Sequence, residues 1–228
     1  MTYTRNRVVH DADSHVMETR NWLEPFIESK FAGQLPPVMG EDMGRIEKII
    51  DEARARKHDK VAAASAAENP IGGTKGWGAY GAFDPAERKE ALDGFGFSSQ
   101  LVFPTIGLGP MKAAKDDATR YAAARAYNRS VASFCADDKR LIPVAYVPLD
   151  NVELALAATK EALADGSGAV SFSNGPAGDR SPGHHALDPF WELLSERRVP
   201  FVLHIGLGTM VQPQPFRNNG RERSPDLH

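Results

Sequence analysis

Short apolar segments alternate with helical segments along most of this chain, and that alternation most constrains its fold. Strands are predicted within 8–18 and over 99–105, 141–149, 168–174 and 200–206. Helices are predicted over 84–94, 121–137, 152–164 and 187–198. Strands separated by helices of about ten to fifteen residues are typical of right-handed βαβ units with a parallel sheet. Most of these strands are continuously apolar, as expected when both faces of the sheet are covered.

The length of the chain limits how much of a barrel it can form. Its 228 residues hold about five βα units, whereas a complete (β/α)8 barrel takes about 250 residues, and more with an insertion. The sequence therefore predicts an α/β fold of the incomplete TIM-barrel type, as a single domain over 1–228. Because the polar tail 207–228 carries no further strand or helix signal, we expect either the N-terminal part of a longer protein or a truncated product.

An insertion over 35–80 separates the first strand from the next βα unit. Its residues 41–68 are charged and rich in alanine, which predicts one inserted helix with a solvated surface. The glycines of PIGGTKGWGAYGAF (70–83) spell GxGxxG, but no strand precedes them, so we interpret them as a loop and not as a dinucleotide site. Asp84 is the predicted N-cap of the following helix, and Gly94 is predicted to end that helix.

The composition favours a small-molecule partner. Lys and Arg total 27 against 30 Asp and Glu, a net charge of -3 at pH 7, which leaves no basic excess for nucleic acid. The single cysteine, Cys135, cannot form an internal disulfide and excludes a cysteine-rich zinc site. Neither a signal-peptide pattern nor a run of about 18 apolar residues is present. We therefore predict a cytoplasmic protein that binds neither nucleic acid nor membrane.

Ionisable side chains lie at the predicted strand ends, where the sites of βα folds are found. Asp13 and His15 are two residues apart, so strand alternation directs both to one face. Asp11 is predicted on the same face, one pleat deeper, as an orienter of a ligand. His204 occupies the equivalent end of the fifth strand. One carboxylate and two imidazoles suit zinc, manganese or ferrous iron; the alternative is that His204 is a hydrogen-bonded core histidine.

Four segments carry a family resemblance: DADSHVME, FDPAERKEALDGFGFSSQLVFPT, RAYNRSVASFCADDKRLIPVAYVPL and HHALDPFWELLSERRVPFVLHIG. They resemble the amidohydrolase-related family, whose metal-dependent TIM-barrel enzymes include aminocarboxymuconate-semialdehyde decarboxylase and the hydroxybenzoate-type decarboxylases. The resemblance covers most of 8–206 and omits the insertion. It implies one divalent metal ion at the barrel mouth, zinc before manganese or iron, and a homo-oligomer for the full-length protein.

The resemblance also implies which residues hold the ion. In that family the first strand supplies a His-x-His or acidic-x-His pair, strand five a histidine and strand eight an aspartate. Asp13 and His15 match the acidic pair and His204 matches strand five, whereas no residue matches the strand-eight aspartate. The binuclear branch of the wider superfamily uses a lysine on strand four, and 169–173 (AVSFS) contains none. The resemblance therefore favours the mononuclear branch.

The predicted activity is metal-dependent removal of carbon dioxide from a small aromatic or unsaturated carboxylic acid, with the ion as Lewis acid. Hydrolysis of an amide, ester or lactone needs the same ligands, so the sequence leaves both open. An inactive fragment or interaction module is an alternative of another class. His204 is predicted to take part in catalysis as well as in metal binding. Glu18, after the first strand, and His185, after the fourth, are the candidate catalytic contacts with substrate. The alternatives are that Glu18 is a solvated residue at a helix N-terminus and that His185 and its neighbour His184 have an ordinary loop or cap role.

Overall fold

The computed structural model describes residues 2–40, 43–68, 73–204 and 218–220. Within them, five strands form one parallel sheet in the order β1-β2-β3-β4-β5. The strands are β1 His10–His15, β2 Ser99–Phe103, β3 Leu141–Tyr146, β4 Ala169–Ser171 and β5 Phe201–Val202. Each strand pairs with its predecessor in the chain after a helical crossover, so the sheet curls into a half-barrel. The predicted incomplete TIM-barrel fold is confirmed.

Helices connect consecutive strands of the sheet. They are α1 Gly44–Arg56, α2 Lys60–Glu68, α3 Pro85–Phe95, α4 Gly109–Ala113, α5 Asp117–Cys135, α6 Val152–Ala164 and α7 Asp188–Arg197. Short 3₁₀ helices cover Glu24–Phe26, Ser29–Phe31, Gly76–Gly78 and His185–Leu187. Over the described ranges, none of these helices is both long enough and apolar enough to cross a membrane.

The insertion contains two helices, α1 and α2, so the prediction of one helix over 41–68 is wrong. The break between them lies at Asp59, whose side chain accepts hydrogen bonds from the N–H groups of Val61 and Ala62 at 2.9 and 3.1 Å. An aspartate that satisfies the free N–H groups of a helix start favours a new helix over continuation of the old one. The predicted polar tail 207–228 lies outside the described residues, except for 218–220.

Helix α3 begins where the sequence predicts and ends later. Asp84 accepts hydrogen bonds from the N–H groups of Ala86 and Glu87, both at 3.0 Å. Gly94 lies inside the helix, and Gly96 follows its end with a φ of 74°. Because a left-handed residue after a helix end favours glycine, Gly96 and not Gly94 terminates α3.

Apolar side chains pack on both faces of the sheet. Val102 belongs to the core between sheet and helices, together with Tyr127 of α5. Phe103, the next residue, packs with Val144 and Ala169 on the opposite face, which is the interior of the half-barrel. This division follows from the alternation of side chains along a strand. It places the aromatic ring of Phe103 directly beneath the carboxyl ends of the strands.

Candidate metal centre

Strand β1 reaches the barrel mouth through a β-bulge. Asp11 pairs with Gln100 and Ser14 pairs with Val102, so three residue steps on β1 match two on β2. An extra residue of this kind reverses the face that later residues occupy. The prediction that Asp11 shares a face with His15 is therefore wrong, and Asp11 lies beside Gln100, whose Nε2 donates to Asp11 Oδ2 at 2.9 Å.

Asp11 nevertheless contacts the next acidic residue of the strand. Its Oδ1 accepts a hydrogen bond from the backbone N–H of Asp13 at 3.1 Å. The predicted orienting contact is thus made through the backbone of Asp13 and not through its carboxylate. The bulge leaves the Asp13 side chain 70% exposed at the mouth.

The three predicted metal ligands converge at the carboxyl ends of β1 and β5. His204 Nε2 lies 2.9 Å from Asp13 Oδ1 and 3.2 Å from His15 Nε2. His15 Nε2 lies 3.2 Å from Asp13 Oδ1. All three donor atoms lie within 4.8 Å of one another. The structure therefore brings together side chains that are far apart in sequence.

The donor set fits a divalent ion of borderline hardness. One carboxylate oxygen and two imidazole nitrogens are ligands that zinc, manganese and iron share. Three protein ligands also match the catalytic pattern, in which a further coordination position stays open. The alternative of a core histidine does not describe His204, because its ring nitrogen faces Asp13 and His15 and its side chain is 19% exposed.

The loop after β2 determines which ring nitrogen of His15 carries the hydrogen. His15 Nδ1 lies 2.6 Å from the carbonyl oxygen of Pro104. Because a carbonyl oxygen only accepts, Nδ1 carries the hydrogen and the neutral ring presents the lone pair of Nε2 to the centre. Metal-binding histidines commonly donate their other ring N–H in this way.

Charge and packing also suit the site to a cation. Partial burial raises the pKa of Asp13, but hydrogen bonds and charge from His204 and His15 outweigh burial and hold the pKa below its usual value. Asp13 is therefore a carboxylate at neutral pH. Beneath the centre, the ring centroid of Phe103 lies 5.0 Å from His204 and 6.0 Å from His15. Phe103 is buried and separates the centre from the barrel interior.

Glu18 does not lie on the open side of the site. Its side chain is 0% exposed and accepts hydrogen bonds from the N–H groups of Thr105, Ile106 and Gly107. Burial raises its pKa against the opposing effect of these bonds. The sequence-based prediction that Glu18 contacts substrate therefore needs correction, because the side chain has no surface to offer a bound molecule.

His185 begins the 3₁₀ helix His185–Leu187 after β4 and is outside the group of three ligands. His185 is exposed and its neighbour His184 is partly exposed, and the two rings stack with centroids 4.5 Å apart. The backbone N–H of His185 donates to the carbonyl of Asn219 at 3.2 Å. This hydrogen bond joins the loop after β4 to the described segment 218–220. A contact between His185 and substrate stays a prediction.

Sequence reasoning missed two groups that hold the ligand strand. The guanidinium of Arg88 donates to the carbonyl oxygen of His15 at 2.7 Å and to Ser14 Oγ at 2.8 Å. The Pro104 carbonyl accepts from the His15 ring, as described above. An arginine within an amphipathic helix gives no signal that it is buried, whereas proline at the end of an apolar strand marks a fixed turn.

The comparisons with known proteins agree with this architecture. The model of the amidohydrolase family matches residues 11–221. Because the match covers most of the sequence, this chain belongs to the amidohydrolase family. Among curated proteins, none matches the chain.

Two solved structures show the same fold. An amidohydrolase from Mycobacterium avium subsp. paratuberculosis is 20% identical with a TM-score of 0.63, over 88% of this chain and 59% of that one. The 5-carboxyvanillate decarboxylase of Novosphingobium aromaticivorans, with bound manganese and 3-methoxy-4-hydroxy-5-nitrobenzoic acid, is 16% identical with a TM-score of 0.50. That alignment covers 89% of this chain and 52% of the decarboxylase. At these identities the similarity concerns the fold, and the chain spans little more than half of each structure.

Proposed function

We propose that this chain carries the metal centre of a carboxy-lyase that releases carbon dioxide from an aromatic or unsaturated carboxylic acid. The observation that carries the proposal is the convergence of Asp13 Oδ1, His15 Nε2 and His204 Nε2 within 4.8 Å. Family membership supports a metal-dependent enzyme, and the similar fold of a decarboxylase with bound manganese supports this chemistry. A divalent ion, zinc in our proposal with manganese or iron as alternatives, would supply Lewis-acid stabilisation of developing negative charge.

The residues of the chain have distinct tasks in this proposal. Asp13, His15 and His204 hold the ion, and the Asp13 carboxylate offsets part of its charge. Donation from Nδ1 to Pro104 keeps the lone pair of His15 Nε2 directed at the centre. Phe103 excludes water from below, since it is 1% exposed under both rings. The exposed side of Asp13 is where a small carboxylate substrate would approach.

Hydrolysis of an amide, ester or lactone is the alternative activity, because it needs the same three ligands. It is supported by the similarity to the Mycobacterium amidohydrolase. We also propose a cytoplasmic location and a homo-oligomeric assembly. Both follow from the composition and the family resemblance.

A direct test measures metal binding and turnover on the same protein. The purified chain is loaded with Zn²⁺ or Mn²⁺, its metal content is measured, and carbon dioxide release from hydroxybenzoates is compared with hydrolysis of a lactone panel. We expect one ion per chain, and release of carbon dioxide would support the carboxy-lyase. Hydrolysis alone would establish the alternative activity, and absence of both would identify an inactive fragment or interaction module.

Single-residue variants test whether the ion binds at the proposed centre and not at another histidine. Asp13→Ala and His204→Ala are expected to lose the stoichiometric ion, because each removes a ligand atom. His58→Ala is the matched control, since His58 is an exposed histidine of the insertion, and it should retain the ion. Equal metal content in Asp13→Ala and the unaltered chain would reject the proposed centre.

A further inference from the structure

We infer that Glu18 is a positioning residue. Through the loop after β2 it fixes which nitrogen of the His15 ring carries the hydrogen, and it fixes the orientation of that ring. The inference rests on the proposed role of His15 as a metal ligand. Glu18 is fully buried, and its side chain lies against a loop that begins 87 positions further along the chain. A buried carboxylate is costly unless donors surround it, so its contacts identify what it holds in place.

The contacts of Glu18 are three successive backbone N–H groups. Thr105 N lies 3.1 Å from Oε1 and 3.2 Å from Oε2. Ile106 N lies 3.0 Å from Oε2, and Gly107 N lies 3.0 Å from Oε1. Bonds to a charged acceptor are the stronger ones. The carboxylate and the loop therefore hold each other in one geometry.

Gly107 is needed for this close approach. A Cβ atom at position 107 would lie 2.6 Å from Oε1 of Glu18 and 3.0 Å from the ring of Tyr127. Tyr127 is itself fully buried on α5. The loop therefore has no room to move toward Glu18 or toward the helix without breaking these contacts.

The same loop sets the state of the His15 ring. Pro104, which precedes the three N–H donors, accepts from His15 Nδ1 at 2.6 Å. The Thr105 hydroxyl lies 3.4 Å from that nitrogen and donates to the carbonyl of Val16 at 2.9 Å. Displacement of the loop would remove the acceptor that keeps the hydrogen on Nδ1. Nε2 would then lose its fixed lone pair.

An amide cannot replace the carboxylate at position 18. Oε1 accepts from Thr105 and Gly107, and Oε2 accepts from Thr105 and Ile106. Either orientation of a glutamine side chain would therefore point its NH₂ group at backbone N–H groups. Glu18→Gln keeps the size of the side chain and removes its negative charge and its ability to accept on both sides.

The experiment compares Glu18→Gln with Glu28→Gln in the full chain. Glu28 is the matched control, because it is a partly exposed carboxylate that pairs with Arg125. The ¹⁵N NMR shifts of His15 in metal-free protein report which ring nitrogen carries the hydrogen, and a Zn²⁺ titration reports affinity. For Glu18→Gln we expect a loss of the Nδ1–H form and a zinc affinity lower by about 10- to 100-fold. Glu28→Gln should change neither.

The His15 tautomer tests the role of Glu18, whereas zinc binding by the unaltered chain tests the proposed metal centre. An unchanged His15 tautomer in Glu18→Gln would overturn the inference, whatever the zinc affinity. If Glu18→Gln does not fold, Gly107→Ala provides the second perturbation, and an unchanged tautomer in that variant has the same consequence. Failure of the unaltered chain to bind zinc would reject the metal centre, while the tautomer comparison in metal-free protein would still decide the role of Glu18.

Discussion

Arg88 is a buried cation whose hydrogen-bond acceptors are neutral. Its guanidinium donates to the carbonyls of Gly81 and His15, both at 2.7 Å, and to Ser14 Oγ. Burial lowers the pKa of Arg88 to about 10, even though the nearby Cys135 and Asp11 act to raise it. The side chain remains charged at neutral pH and ties α3 and Gly81, which follows the insertion, to the ligand strand. Removing it would leave buried carbonyl groups without donors.

Substitution Arg88→Met is expected to lower the free energy of unfolding by about 3 kcal/mol, because several hydrogen bonds from a charged donor disappear and their acceptors stay buried. Urea unfolding at pH 7 measures the change. Lys89→Met, on the exposed side of the same helix, is the control and should cost about 0.5 kcal/mol or less. Equal losses in the two variants would contradict the assigned role.

Helix ends and strand registers decide the geometry of the individual elements. At the end of α3, Gly96 adopts a φ of 74°, and a Cβ atom there would lie 2.5 Å from Thr4 Oγ1. Thr4 Oγ1 in turn donates to the Gly96 carbonyl at 3.1 Å. Within β1, the bulge between Asp11 and Ser14 separates the face of Asp11 from that of His15. Both features depend on neighbours that are distant in sequence.

The two glycines of α3 are expected to respond to alanine with opposite signs. Gly96→Ala should destabilise the protein by about 1–2 kcal/mol, because its left-handed backbone disfavours a side chain and the space is occupied. Gly94 lies in the helix and is exposed, so Gly94→Ala should stabilise by about 0.5–1 kcal/mol. Thermal unfolding of both variants checks this. Stabilisation by Gly96→Ala would refute the observed helix end.

The curl of the whole sheet creates the candidate metal centre. β1 and β5 are the first and last strands in the order of the described sheet and do not pair with each other. Their ends meet because the intervening strands bend the sheet around Phe103 and its inner neighbours. His15 and His204 thereby approach to 3.2 Å, although they are 189 positions apart in the chain. A bound ion would connect the two outer strands of the half-barrel.

Zinc is therefore expected to stabilise the molecule and to protect β5 in particular. At a free concentration of about 100 times the dissociation constant, binding should add about 2.7 kcal/mol to the free energy of unfolding. Thermal unfolding with and without Zn²⁺ tests the total effect, and hydrogen exchange tests the protection of Phe201 and Val202. His204→Ala should show neither effect, whereas His58→Ala should show both. An equal response to zinc in His204→Ala would exclude the proposed connection.

The sequence by itself determined the order of strands and helices, the N-cap at Asp84 and the candidate ligands Asp13, His15 and His204. These signals are local, because a strand period, a helix period or a helix cap depends on only a few neighbouring residues. The family resemblance added the barrel type. Each of these predictions was possible without knowing any contact between segments that are distant in the sequence.

Only the tertiary structure decided the bulge after Asp11, the break at Asp59 and the burial of Glu18. The side chain of Glu18 is buried because a loop 87 positions away supplies its hydrogen-bond donors. The direction of Asp11 likewise depends on its register with Gln100 of the neighbouring strand. Register and burial arise from contacts between segments, so a periodicity that spans a few residues cannot encode them.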